Sequence, residues 1–345
     1  MGACYGSPPA TQYVLVQDKK KVYRGSTIPR QESYGSTFEQ KYSLGGTIMG
    51  KGADAIVYRG FNRYNLEKVA IKVVQLDDPQ NLKRRKDLVS NLRRESQVLG
   101  GLQHDGVMRL LDVYEDERRY TMILECAHGG SLFERMIRVK KFSEPQAKII
   151  LSRLTEAVKY IHGKGIVHRD LKPENILFKS LDSIDKIMIA DFGYAIFCNG
   201  NILKDQLGTP NYVAPEILLR HAYGKAVDVW ALGVILFIML SGNFPFNHSD
   251  QTTLFRTIVK GDFSFEVDKH KWVGVSEDAK DLIRKILVVD ESKRFTLDQI
   301  LEHSWMKDVQ CKDIDLEGLT NLSVHTRSST VIGPLPSENE FDLAI

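Results

Sequence analysis

A chain of 345 residues with 43% hydrophobic and 26% charged residues can build one large domain with tails, or two lobes, and reads as a soluble globular protein. Its net charge of +3 is too small to imply nucleic acid without a concentrated basic patch. The four cysteines, Cys4, Cys126, Cys198 and Cys311, form no CxxC pair, which argues against a zinc site or a disulfide framework and for a reducing, cytoplasmic compartment.

Residues 1–41 mix Gly, Ser, Pro and Gln with short charge runs and read as a flexible arm. The arm opens Met1-Gly2-Ala3-Cys4, which resembles an acylation start with myristate on Gly2 and palmitate on Cys4. Gly6 stands where that pattern wants Ser or Thr, so an unmodified arm is the favoured alternative. One acyl chain holds a membrane only marginally, and Cys4 or Lys19-Lys20-Lys21 would have to supply a second signal.

From Tyr42 the pattern becomes strand-like. Leu44–Met49 and Ala55–Tyr58 flank a Gly50-Lys51-Gly52-Ala53-Asp54 turn, the shape of a hairpin, and Lys68–Val74 alternates as a third strand. Lys72 points opposite to its apolar neighbours, beneath a glycine-rich flap whose N–H groups can cradle phosphates. No Walker A spacing follows, and a strand rather than a helix comes next, which excludes a Rossmann fingerprint. Asn81–Leu99 has apolar residues at helical spacing, with Glu95 near its end and a basic face: Lys83, Arg84, Arg85, Lys86, Arg93 and Arg94. That face reads as solvated, with docking of an acidic tail or a membrane surface as the alternative.

Val107–Asp116 and Tyr120–Cys126 read as two more strands, and His128-Gly129-Gly130 then breaks the pattern. Helices dominate afterwards, among them an amphipathic Pro145–His162. The longest apolar run, Val229–Leu240, is 12 residues. About 20 are needed to span a bilayer, so this run predicts a buried core helix. Five strands with one helix, joined through a glycine hinge to a helical half, predict a two-lobed α+β architecture with a ligand crevice between the lobes.

Within Ile166–Asn175, Asp170, Lys172 and Asn175 sit at i, i+2 and i+5, and the apolar Ile176-Leu177-Phe178 follows as a buried strand. One group can take a proton, one can neutralise a phosphate and one can ligate a hard cation; an ordinary solvated turn has the same composition. A second strand, Lys186–Ala190, leads into Asp191-Phe192-Gly193.

From Tyr42 to Met306 these parts resemble a protein kinase. Gly50-x-Gly52-x-x-Ala55-x-Val57 is similar to the glycine-rich loop, and Val69-Ala70-Ile71-Lys72 to the third-strand lysine motif. His168-Arg169-Asp170-Leu171-Lys172-Pro173-Glu174-Asn175 resembles the catalytic loop, Asp191-Phe192-Gly193 the metal motif, and Ala214-Pro215-Glu216 the end of the activation segment. Asp-Leu-Lys-Pro-Glu-Asn together with Gly208-Thr209-Pro210 is similar to the serine/threonine kinases. Tyr212-Val213-Ala214-Pro215-Glu216, Asp228–Val234 and His303-Ser304-Trp305-Met306 most resemble the calcium/calmodulin-dependent group.

The resemblance implies transfer of the γ-phosphoryl group of ATP, with Mg²⁺, to protein serine or threonine. Asp170 would orient the substrate hydroxyl and take its proton, and Lys172 would neutralise the moving phosphoryl group. Lys72, paired with Glu95, would bind the α and β phosphates, and Asn175 and Asp191 would ligate Mg²⁺. ATP would contact Met49, Gly50, Lys51, Gly52, Ala53, Asp54, Ala55, Ile56 and Val57, with adenine between Val57 and Ala70 above and Leu177 below. The backbone of Glu125 and Ala127 would hydrogen-bond the adenine edge. Glu174 and Thr209 would face the substrate. Asp228 would tie down the catalytic loop, and Glu216 and Arg294 would form a buried pair.

Three departures matter. Ala55 replaces the third loop glycine, with little loss expected. Ser131 stands where this group usually has a glutamate that helps bind ribose and a substrate arginine; with Glu174 retained, preference for basic substrates is weakened. Between Gly193 and Gly208 there is no Ser or Thr, and Asp205 occupies the position where many relatives carry a phosphorylated threonine. Asp205 is therefore expected to pair with Arg169 and order the segment as a partial phosphate mimic.

The tail from Lys307 to Ile345 has three basic and seven acidic residues, net −4. A calmodulin-binding helix is basic and amphipathic, so calmodulin is not expected as a partner. A kinase-shaped scaffold without turnover is the competing reading, but it has no need to retain Lys72, Glu95, Asp170, Asn175 and Asp191 together. A small-molecule phosphotransferase is disfavoured by Gly208–Glu216, which resembles a polypeptide platform.

Overall fold

A computed structural model describes residues 37–52, 54–76, 82–198, 203–205 and 207–307. The arm with Gly2 and Cys4, Ala53, Asn81 and the tail beyond Lys307 lie outside the described residues. A one-turn helix α1 (Phe38–Lys41) leads into β1 (Tyr42–Lys51), β2 (Ala55–Asn62) and β3 (Lys68–Gln75). Helix α2 (Leu82–Gly100), β4 (Leu110–Glu115) and β5 (Arg119–Glu125) complete the first lobe. The five strands form one antiparallel sheet in the order β1-β2-β3-β5-β4.

The hairpin strands run longer than their alternation suggests, because Gly50 and Lys51 continue the ladder opposite Val57 and Ile56. Val107 is not part of β4. It bridges to Ile189 of the second lobe instead, and the strand starts at Leu110. Order also begins inside the stretch read as flexible arm. Phe38 packs on Tyr42 and Tyr114, and Tyr42 Oη donates to Asp112, which also pairs with Lys41 at 2.9 Å. These aromatic and charged contacts fasten α1 to the outer face of the sheet.

The second lobe is helical. It contains α3 (Leu132–Val139), α4 (Glu144–Gly163), α5 (Pro215–Leu218), α6 (Ala226–Ser241), α7 (Gln251–Lys260), α8 (Glu277–Ile286) and α9 (Leu297–Glu302). Four short strands, β6 (Ile166–Val167), β7 (Ile176–Phe178), β8 (Ile187–Ile189) and β9 (Ile196–Phe197), pair as β6-β9 and β7-β8 along its upper edge. Every residue of α6 from Val227 to Ser241 is buried, as an all-round apolar helix requires. The helix forms the axis of the core, and Gly233 allows α8 to approach: a Cβ there would come within 2.6 Å of Ile286. No helix among the described residues is long and apolar enough to cross a membrane.

Candidate active site

The catalytic loop hangs between β6 and β7, two apolar strand ends buried in the core. Its height is set by Asp228 from the first turn of α6. Asp228 Oδ2 accepts the backbone N–H of His168 at 2.9 Å, and Oδ1 accepts that of Arg169 at 2.9 Å. Burial raises the Asp228 pKa, but His162, 2.8 Å away, His168 and these N–H groups outweigh it and hold the carboxyl below its ordinary value. Arg169 takes φ +69° and Asp191 φ +58°, left-handed conformations that cost a non-glycine residue about 1–3 kcal/mol. The bonds around them hold both in place.

Asp170 sits at the centre of a closed set of contacts. Lys172 Nζ lies 2.7 Å from Asp170 Oδ2, and Thr209 Oγ1 donates to Oδ1 at 2.8 Å while accepting from Lys172 at 2.9 Å. Asn175 Nδ2 donates to Asp170 O at 2.9 Å and Oδ2 at 3.2 Å, which fixes the amide plane and leaves Asn175 Oδ1 for another ligand. The backbone N–H of Ala190 donates to Asn175 O at 2.8 Å and brings Asp191 alongside. Phe192 is buried and packs edge-on against His168, with ring centroids 4.8 Å apart, so its neighbour Asp191 faces the cleft.

From the other lobe, Lys72 Nζ reaches Glu95 at 2.7 Å and Asp191 at 4.0 Å. Burial lowers the Lys72 pKa, but the two carboxylates more than compensate, and the ammonium is held above its ordinary value. For Asp191, burial raises the pKa; Lys72, His168 and the Gly193 N–H lower it further than that, and the carboxylate stays charged. Two oxygen donors on Asn175 and Asp191 fit Mg²⁺, which binds through one or two protein oxygens and completes its shell from phosphates and water. No larger metal-binding cluster of His, Cys, Asp and Glu exists among the described residues.

Register sorts the ATP-contact residues read from the sequence. Val57 stands opposite Lys72, and Ala70 opposite Leu124, on the ladders above the cleft. Leu177, paired with Met188, lies on the β7–β8 ladder below it. Ile56 stands opposite Val73, so its side chain points to the other face and joins Asp54 on the lining of an outer cavity. Met49, Gly50, Lys51, Gly52 and Ala55 belong to the hairpin, and Glu125 and Ala127 to the crossing between lobes. Gly129 is required there, since a Cβ would fall 2.2 Å from Ser180 O.

Sequence reading missed Arg135. Its side chain is fully buried under the crossing, donates to Ser183 O at 2.9 Å and Ser180 O at 2.8 Å, and stacks on Phe178. Burial, with Arg138 nearby, lowers its pKa to about 10. The capping box Ser131-x-x-Glu134 was the available signal for its helix: Glu134 N–H donates to Ser131 Oγ at 3.1 Å, and Ser131 N–H to Glu134 at 2.8 Å. Ser131 is thereby occupied in capping. Glu174 keeps a buried Oε2 without a partner, and burial raises its pKa against the pull of its own N–H and Lys172.

The expected pair between Arg169 and Asp205 is present. Arg169 Nη1 donates to Asp205 Oδ2 at 3.0 Å and to Tyr223 Oη at 3.2 Å, and Nε donates to Tyr194 O at 2.7 Å. Tyr223 Oη donates in turn to Asp205 O at 2.8 Å. Glu216 and Arg294 form the buried bidentate pair, at 2.7 and 2.9 Å, beneath the segment's far end.

Comparison with known proteins agrees with this geometry. The family model described as "Protein kinase domain" matches residues 44–306. The chain belongs to the protein kinase family. A calcium/calmodulin-dependent protein kinase type 1 of Macrobrachium nipponense is 40% identical over 289 residues, covering 84% of this chain and 81% of that protein. A calcium/calmodulin-dependent protein kinase type 1B of Rattus norvegicus is 40% identical over 271 residues, 78% and 76% of the two chains. A serine/threonine-protein kinase H1 homolog of Danio rerio is 38% identical over 306 residues, 87% and 68%. The chain is a protein serine/threonine kinase, similar to the calcium/calmodulin-dependent group, with the two-lobed α+β fold.

Proposed function

We propose that this kinase phosphorylates protein serine and threonine without prior phosphorylation of its activation segment. The observation that carries the reading is the Asp205–Arg169 pair. The side chain of Arg169 is 1% exposed and that of Asp205 25%, so the contact is shielded from water on one side and screened only in part. Tyr223 closes the set from α6's approach, and the segment has no Ser or Thr between Gly193 and Gly208 to phosphorylate. An aspartate carries less charge than a phosphate, and the second contact through Tyr223 compensates for part of the difference.

In this reading Asp170 orients the incoming hydroxyl and takes its proton as the new oxygen–phosphorus bond forms and ADP leaves. Lys172 balances charge on the phosphoryl group, and Thr209 holds both side chains in position until substrate arrives. Lys72, kept in place by Glu95, receives the α and β phosphates. Asn175 and Asp191 would hold Mg²⁺ through their side-chain oxygens, and the ion would supply positive charge to the phosphates. The buried orphan oxygen of Glu174 supports a retained, weakened preference for a basic residue in the substrate. The net −4 tail supports control without calmodulin. Met1-Gly2-Ala3-Cys4 and the unpaired spacing of the cysteines support a cytoplasmic protein able to meet a membrane once acylated.

The test is to produce the chain in a host without eukaryotic kinases and verify by mass spectrometry that residues 193–216 carry no phosphate. Peptide phosphorylation is then measured before and after treatment with upstream kinases. Full activity beforehand supports the reading; activity that appears only after phosphorylation of the segment overturns it.

A further inference from the structure

The turn between β2 and β3 displays large apolar side chains to water. Tyr64 is 74% exposed and Leu66 75%. The turn is closed by its own hydrogen bonds: Leu66 N–H donates to Asn62 O at 2.9 Å, Asn62 N–H to Glu67 O at 2.9 Å, and Tyr64 N–H to Asn62 Oδ1 at 2.9 Å. Leu66 takes φ +58°, a left-handed conformation that a bulky residue rarely adopts. Two apolar side chains held outward on such a turn form a surface of the kind that meets a partner.

The surrounding charge says which kind of partner. Arg63 and Lys68 flank the pair, and neither forms an ion pair among the described residues. Arg59 follows Lys68 on the same face of the sheet, opposite Ala70, and its buried Nε has no partner. Glu67, the one carboxylate of the turn, accepts from Asn65 Nδ2 at 3.2 Å and lies 3.9 Å from Arg109. The arm adds to the positive charge, since residues 1–36 hold Lys19, Lys20, Lys21, Arg24 and Arg30 against Asp18 and Glu32. It joins the fold beside the turn, where Arg63 N–H donates to Lys41 O at 2.9 Å and Arg63 Nε to Tyr42 O at 3.1 Å. A tyrosine and a leucine flanked by unpaired cations match the headgroup boundary of an anionic bilayer, where tyrosine rings settle and basic side chains meet phosphate.

We propose that residues 63–68 rest on an anionic phospholipid surface, with Tyr64 and Leu66 at the headgroup boundary and Arg63 and Lys68 against lipid phosphate. The contact does not require an acylated arm. It supplies the second signal that a single acyl chain needs for stable anchoring. Strand β2 runs from the glycine hairpin at Ala55 to the turn at Asn62, about 23 Å at the usual rise of a strand. The membrane is thus met at the opposite end of the strand from the flap over the nucleotide.

The test uses the full chain made in bacteria that lack acyltransferases for Gly2, so that the turn is judged apart from acylation. Binding to phosphatidylcholine vesicles, with and without phosphatidylserine, is measured by flotation at low salt. The chain is expected to partition only onto the vesicles that contain phosphatidylserine. The double variant Tyr64→Ser, Leu66→Ser is expected to lower the partition coefficient at least about tenfold. Lys68→Ala should lower it about fivefold. Melting temperature and peptide phosphorylation in solution should be unchanged in these variants, which touch neither the core nor the cleft. Emission of Tyr64→Trp should move to shorter wavelength on the same vesicles and be quenched by lipids brominated in their acyl chains. Binding that survives the double serine variant but is lost in Lys19→Ala, Lys20→Ala, Lys21→Ala would assign the contact to the arm and overturn the proposal. An absence of vesicle binding, or an unshifted Tyr64→Trp emission, would overturn it equally.

Discussion

Replacing Asp205 with alanine removes the carboxylate that holds Arg169 Nη1 at 3.0 Å and leaves the Tyr223 and Tyr194 contacts in place. Arg169 already has one nitrogen, Nη2, buried without a partner, so the substitution leaves a guanidinium poorly compensated. Breaking a fully buried pair costs about 3–5 kcal/mol; with the Asp205 side chain one quarter exposed, about 2–3 kcal/mol is the appropriate scale. Two kcal/mol is about a thirtyfold change in an equilibrium constant, here the balance between ordered and released activation segment. Steady-state phosphorylation of a peptide by the unphosphorylated chain is therefore expected to lose at least about tenfold in kcat/KM in Asp205→Ala. Asp205→Asn, which keeps an acceptor but no charge, is expected to fall between that variant and the wild type. The melting temperature should change little, because the core beneath the segment rests on Glu216 and Arg294. An Asp205→Ala enzyme with kcat/KM within about twofold of wild type would refute the reasoning, since that corresponds to less than about 0.5 kcal/mol.

Two further outcomes test the scaffold. Glu216→Ala leaves Arg294 buried and uncompensated, and should lower the unfolding free energy by about 3–5 kcal/mol in urea titration. A loss below about 1 kcal/mol would show that the three carbonyl contacts of Arg294 suffice by themselves. Asp228 has a folded pKa below its ordinary value of 3.8, so the folded state binds fewer protons there than the unfolded state. Its contribution to stability is complete above that value and is lost as pH falls through the folded pKa. The stability gap between wild type and Asp228→Asn should accordingly be constant near neutrality and narrow below about pH 4. A gap that widens on acidification would contradict the sign.

The catalytic loop was legible because its chemistry is local: Asp170, Lys172 and Asn175 fall within six residues, and the apolar strand after them marks where the loop is anchored. Helix α6 was legible from its unbroken apolar run. The ion pair of Lys72 and Glu95 spans 23 residues and two elements, and only the family resemblance joined them in advance. Tyr223 had no such signal. It lies 18 residues beyond Asp205, and its contact depends on the bridge that brings Leu203 alongside Tyr223. The two-residue strands β6 and β9 are too short for any periodicity to register, although their pairing places the ends of the catalytic loop. Ile56 shows the reverse case. Membership of the glycine hairpin suggested nucleotide contact, and the two-residue alternation of the strand turned its side chain to the other face.

The most direct measurement incubates the chain with Mg-ATP and an arrayed peptide library, comparing wild type with Asp170→Asn. Asp170 is surrounded by Lys172, Asn175 and Thr209 in a geometry suited to taking the proton of a hydroxyl, and a positioned base contributes about 10²–10⁴-fold. The wild type is expected to label serine and threonine peptides, and Asp170→Asn to fall by about that factor. Equal labelling by the two proteins, or none by either, would contradict the assignment of phosphoryl transfer to this site.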